Sequence, residues 1–160
     1  MSFGIAVARI IHVLGGVIWV GSMFFVSVFL IPAMTEAGPD AAKVSAALNR
    51  RNWMVVVPVI ALLTILSGLW LYWHTSMGFD PAYMRSGPGK AYGTGGALAI
   101  LAFIVGITMT RPAMMKAEQL SREGNMAEAQ AYRDRGARWG KIIGFLLLGA
   151  ATMMAIGRYV

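Results

Sequence analysis

The chain of 160 residues contains no cysteine, which excludes disulfides and thiolate metal sites. Charge is also scarce: Asp, Glu, Lys and Arg make up only 13% of residues, about half the share usual in a soluble domain. Acidic residues are rarest, seven in all, and none falls within an apolar run. That argues against a carboxylate-driven proton pump or a cation-coupled transporter. With no Ser-His-Asp pattern and no paired carboxylates in those runs, hydrolytic catalysis has no visible machinery either. What is abundant is apolar surface, 58% of residues, with a mean hydropathy of +0.64. Together these define an all-α integral membrane protein. The net charge of +7 would suit a nucleic-acid binder. The basic residues, however, cluster beside the apolar runs, where they report membrane topology. No nucleic-acid partner is expected.

Four runs are long enough to cross about 30 Å of hydrocarbon: roughly 5–34, 53–74, 92–110 and 139–159. They form a single transmembrane domain, read as a four-helix bundle. The first run is too long for a signal-peptide core and is read as an uncleaved span. The linker 35–52 carries Lys43, Arg50 and Arg51. The linker 111–138 carries Arg111, Lys116, Arg122, Arg133, Arg135 and Arg138, whereas 75–91 carries only Arg85 and Lys90. The positive-inside rule then places the first and third linkers in the cytoplasm and both termini on the periplasmic side of a bacterial inner membrane.

Local signals fill in the linkers. Asp40 is a candidate N-cap for a helix expected to run straight into the second span. "EGN" at 123–125 is the one strong breaker in the third linker. The prediction is a cytoplasmic helical hairpin turning near Gly124. Pro58 is expected to kink the second span. "SGPGKAYGTGG" lacks the ending of a phosphate loop and reads as a turn entering a helix. No convincing internal repeat stands out.

Small and polar residues mark the packed faces of membrane helices better than hydrophobicity does. Ala8, His12, Gly15, Trp19, Ser22 and Val26 share one stripe of the first span. The second offers Trp53, Val57, Thr64, Ser67, Gly68, Leu71 and His74. The third offers Ala91, Gly95, Ala99, Ala102 and Gly106, and the fourth Gly140, Gly144, Ala151 and Ala155. His12 therefore points into the bundle, about 10 Å from its end at the helical rise, and needs a hydrogen-bond partner, a metal or water.

Chemistry in the spans is confined to histidine and methionine. His12, His74, Met153 and Met154 fall in the same half of the membrane. His, alone or with Met, can ligate a haem b. Imidazole and thioether also suit copper. A His12–His74 pair requires a stagger between helices, while Met153 or Met154 matches His12 better in depth. Against these stand ordinary roles. His12 can be an interior histidine bonded to a hydroxyl or carbonyl. His74 can belong to an aromatic belt with Trp70, Tyr72 and Trp73, and the methionines can be flexible packing.

The segment "IHVLGGVIWVGSMFFVSVFLIPAM" at 11–34 has an early His, a Trp-x-Gly seven residues on and a closing Pro. "RRNWMVVVPVIALLTILSGLWLYW" at 50–73 opens on basic and aromatic residues and ends near a small-Gly-Leu. Both resemble the first two spans of the CopD-like membrane proteins. That group takes in the copper-resistance D domain, HemJ-type protoporphyrinogen oxidases and uncharacterised bacterial four-span proteins. The resemblance implies a haem-b or copper role with His12 as ligand, in electron transfer or redox support. HemJ-type proteins are also expected to carry a basic residue deep in the membrane. Here Lys141 and Arg158 are both terminal, so protoporphyrinogen oxidation finds no match. A different class stays open beside this one: a cofactor-free structural or accessory subunit of a larger respiratory or photosynthetic complex. Copper handling is third. Expected partners are membrane lipids and either further copies of the chain or the subunits of such a complex.

Overall fold

A computed structural model describes residues 3–160, the side chains of Pro39 and Ala42 excepted. About 90% of the chain is helical and the described residues contain no strand. Helix α1 (Phe3–Phe25) passes through a π-helical stretch, Val26–Leu30, into α2 (Ile31–Glu36). Helices α3 (Ala41–Arg50) and α4 (Trp53–Thr75) follow, then the short α5 (Pro81–Arg85). Helix α6 (Gly87–Val105) passes through a second π-helical stretch, Gly106–Thr110, into α7 (Arg111–Arg122). Helix α8 (Met126–Ile156) completes the chain. Four continuous helices, Phe3–Glu36, Trp53–Thr75, Gly87–Arg122 and Met126–Ile156, are long and apolar enough to cross a membrane. Each satisfies its backbone polar groups internally, as hydrocarbon demands.

The linkers differ from expectation in three places. Helix α3 does not run into α4. Asn52 adopts a left-handed φ of 55° between them, and Asp40 makes no capping bond but pairs with Lys43. Helix α4 itself continues through Pro58. The hairpin between α7 and α8 does turn at Gly124, whose φ of 82° favours a residue without Cβ. Asn125 then caps α8 by accepting from the Glu128 N–H. Ser86 likewise caps α6, so this helix starts at Gly87, five residues before the apolar run.

The helices associate as two tight pairs, α1 with α4 and α6 with α8. Glycine sets both contacts. A Cβ on Gly15 would run into the Thr64 hydroxyl, and one on Gly68 would stand 2.5 Å from Cε1 of His12. In the second pair a Cβ on Gly95 would be 3.2 Å from Cβ of Met153, and one on Gly157 would be 2.5 Å from Cε1 of Tyr92. The two pairs correspond position by position. Gly15-Gly16, the π-helical stretch 26–30 and Pro32-Ala33-Met34 recur 80 positions on, as Gly95-Gly96, 106–110 and Pro112-Ala113-Met114. His12 corresponds to Tyr92 at the same offset, while Gly68 and Thr64 correspond to Gly157 and Met153 at an offset of 89. The internal repeat that the sequence does not announce is thus a repeat of contacts. Only a few small residues are needed to encode it.

Between the pairs lies a core of Trp19, Ala61, Ala102, Ile143 and Leu147, with the Phe103 ring edge-on to Trp19 at 6.4 Å. The inward stripes of the first and third spans hold broadly. On α8 the buried line is Gly136, Gly140, Ile143, Leu147 and Ala150, while Ala151 is exposed. Large side chains, not only small ones, face the core there. Ser27, in the first π-helical stretch, donates to the Gly140 carbonyl across the bundle at 3.2 Å.

The close approach predicts a contrast between two substitutions on one helix. Gly21→Ala meets nothing within 4 Å and should stabilise slightly through helix propensity, by about 0.5–1 kcal/mol. Gly15→Ala should lower the melting temperature in detergent, because the methyl group displaces the Thr64 hydroxyl from the Ile60 carbonyl or pushes α1 from α4. Thermal unfolding of both variants followed by circular dichroism checks this.

Candidate functional site

The site begins with the α1–α4 contact. His12 is half-buried and its ring lies against Gly68, with Nε2 the nitrogen further from that residue. Nδ1 stands 2.8 Å from the Thr64 carbonyl oxygen. A carbonyl can only accept, so Nδ1 carries the proton and donates. In the neutral ring this assigns the tautomer: Nε2 keeps its lone pair. The carbonyl is well placed to fix the ring, since Thr64 and Gly68 lie one turn apart and the missing Cβ of Gly68 leaves the space the imidazole fills. The Thr64 hydroxyl is spent on the Ile60 carbonyl at 2.8 Å. Ser67 donates to Leu63 at 2.7 Å and also to the Thr64 oxygen at 3.0 Å. Beside them runs a shallow apolar groove between the start of α1 and the end of α4, walled by Phe3, Val7, Ile11, Ser67 and Trp70.

The other candidates are placed apart from His12. His74 is exposed at the end of α4, its ring stacked on Trp70 with an interplanar angle of 5°. It lies six residues beyond Gly68, about 9 Å along the axis at 1.5 Å per residue. The helix register therefore holds the two imidazoles at different levels. Met153 and Met154 pack on Gly95 of α6, within the other helix pair. Among the described residues no group of three or more His, Asp or Glu could hold a metal ion. Thr64 and Gly68 are the residues that position His12. The sequence marks both as small inward residues, but their role as its seat depends on the register of two helices.

A second feature lies about 15 Å along α4 from Gly68. A cleft of about 110 Å³ opens between the spans near Val57 and Pro58, and Thr110 and Arg111 form part of its wall. The Thr110 hydroxyl is shut off from solvent and lacks a hydrogen-bond partner. Nothing in the sequence singled this residue out.

The class of protein is set by these observations: an all-helical chain with four helices able to span a membrane. No family model, curated protein or solved structure matches it.

The tautomer is open to direct measurement. In protein labelled with ¹⁵N-histidine, the neutral form of His12 should show a protonated Nδ1 and an unprotonated Nε2. Gly68→Ala should push the ring off Thr64, abolish that pattern and cost about 1 kcal/mol of stability.

Proposed function

We propose that the chain is a CopD-like four-span protein of the bacterial inner membrane whose His12 binds a b-type haem through Nε2, in electron transfer or redox support. One observation carries this reading: the Nδ1–H bond from His12 to the Thr64 carbonyl. Histidines that ligate metals usually donate their other ring N–H to a carbonyl or carboxylate, which fixes the ring and raises its basicity. His12 meets that condition, and the apolar groove beside it suits a macrocycle edge. Thr64 orients the ring and Gly68 makes room for it. Bound there, the haem would supply one-electron chemistry between its ferric and ferrous states. The positions of His74, Met153 and Met154 favour a site with one ligand from this chain.

The same bond supports a second reading. A histidine clasping α1 to α4 is sufficient reason for an interior imidazole, and the chain would then be a cofactor-free accessory subunit of a larger membrane complex. The two readings differ in colour. Protein purified in mild detergent should show a Soret band that shifts on reduction, and His12→Ala should lose it while keeping its helical content. A colourless wild-type protein overturns the haem reading.

The orientation proposed with it follows from the basic residues of the first and third linkers. With no native cysteine, single-cysteine variants report cleanly. A membrane-impermeant maleimide should label Met77→Cys in intact spheroplasts and reach Gln130→Cys only after the membrane is permeabilised.

A further inference from the structure

The cleft near Val57 and Pro58 is apolar along most of its wall. Trp19, Val57 and Phe103 are among its sides, and Trp53, Thr110 and Arg111 stand where the spans meet the basic linkers. Two features there are unsatisfied. Arg111 is exposed and makes no hydrogen bond or ion pair among the described residues, although the nearby basic end does use its acids: Glu118 pairs with Arg122 at 2.6 Å and accepts from Asn49 at 2.8 Å. The Thr110 hydroxyl is buried without an acceptor, at a cost that hydrocarbon makes worse. Both groups are donors, and both sit in or beside the π-helical stretch Gly106–Thr110. Stretches of this kind replace the regular ladder and are frequent at functional sites.

We infer that this cleft holds the first few methylenes of one acyl chain of an anionic phospholipid, with the lipid's phosphate at Arg111. Charge selects the lipid. The one ionic side chain on the wall is a guanidinium, which pairs with phosphate through two parallel hydrogen bonds. Depth agrees, because Arg111 follows the third apolar run and Trp53 opens the second, the level at which headgroups and interfacial indoles meet. The volume, about 110 Å³, is of the same order as the ~150 Å³ of a dry engineered cavity that takes up benzene, enough for a few methylenes. Basic pockets between membrane helices are a recurrent way of holding acidic lipids. This inference involves neither His12 nor any cofactor.

Trp19 and Trp53 line the cleft, so bromine on a lipid chain should quench them. A variant carrying Trp70→Phe, Trp73→Phe and Trp139→Phe keeps only those two indoles. In phosphatidylcholine vesicles, chain-brominated phosphatidylglycerol should quench it at about fivefold lower mole fraction than brominated phosphatidylcholine does. Arg111→Gln should abolish the difference, whereas Arg135→Gln, on the hairpin, should leave it in place. Val57→Phe, which fills the cleft and keeps every charge, should also abolish it. Native mass spectrometry of the unsubstituted protein gives an independent readout, with one phosphatidylglycerol expected to remain bound in detergent and to be lost in Arg111→Gln. Equal quenching by the two lipids overturns the inference. So does selectivity that survives Val57→Phe, which would mark a diffuse surface attraction and not a seat in the cleft.

Discussion

Two helices in hydrocarbon gain nothing from hiding apolar side chains from lipid, so they associate only where their surfaces fit closely. In this protein the fit is made by glycines that face a bulky or polar partner on the neighbouring helix. Gly15 receives Thr64 and Gly68 receives His12. In the other pair, Gly95 receives Met153 and Gly157 receives Tyr92. Each helix of a pair thus supplies one recess and one projection. This reciprocal arrangement locks both the distance between axes and the register along them. The position of His12, the separation of the two pairs and the cleft between them all follow from that lock.

The register has a chemical consequence at His12. Because its ring lies level with Gly68, Nδ1 meets the Thr64 carbonyl one turn away. The same register sets His74 about 9 Å further along, where its ring rests on Trp70. One packing decision therefore gives the two histidines different roles. The first is oriented by a carbonyl and keeps a free Nε2; the second is an exposed ring stacked on Trp70.

How much was legible beforehand varies with the range of the interaction. Hydropathy and span length found the four membrane helices, since each must satisfy its own backbone. The turn at Gly124 was legible because a left-handed residue there needs no Cβ. The break at Asn52 was not, because Asn carries a weaker signal than Gly for the same backbone region. Helix continuity from α3 into α4 was therefore expected where a turn occurs. The buried line of α8 was misplaced for a related reason. Small residues suggested Ala151, yet the core accepts Ile143 and Leu147, whose partners Trp19 and Ala102 come from other spans. The correspondence between the two halves stayed hidden too. Its carriers are a Gly-Gly pair, a Pro-Ala-Met and two single glycines, too few to stand out among apolar residues of similar size.

The sequence by itself determined the class. Scarce charge, long apolar runs and basic linkers commit the chain to helices in a bilayer, and the inward position of His12 follows from helical spacing. Tertiary structure alone decided what His12 touches, which of its nitrogens is free, that Met153 and Met154 belong to the other helix pair, and that Thr110 and Arg111 border a cleft. The physical reason is that spacing along a helix fixes only direction around its axis. The distance, tilt and register between helices come from contacts among residues far apart in the chain, and those contacts supply the partners on which chemistry depends.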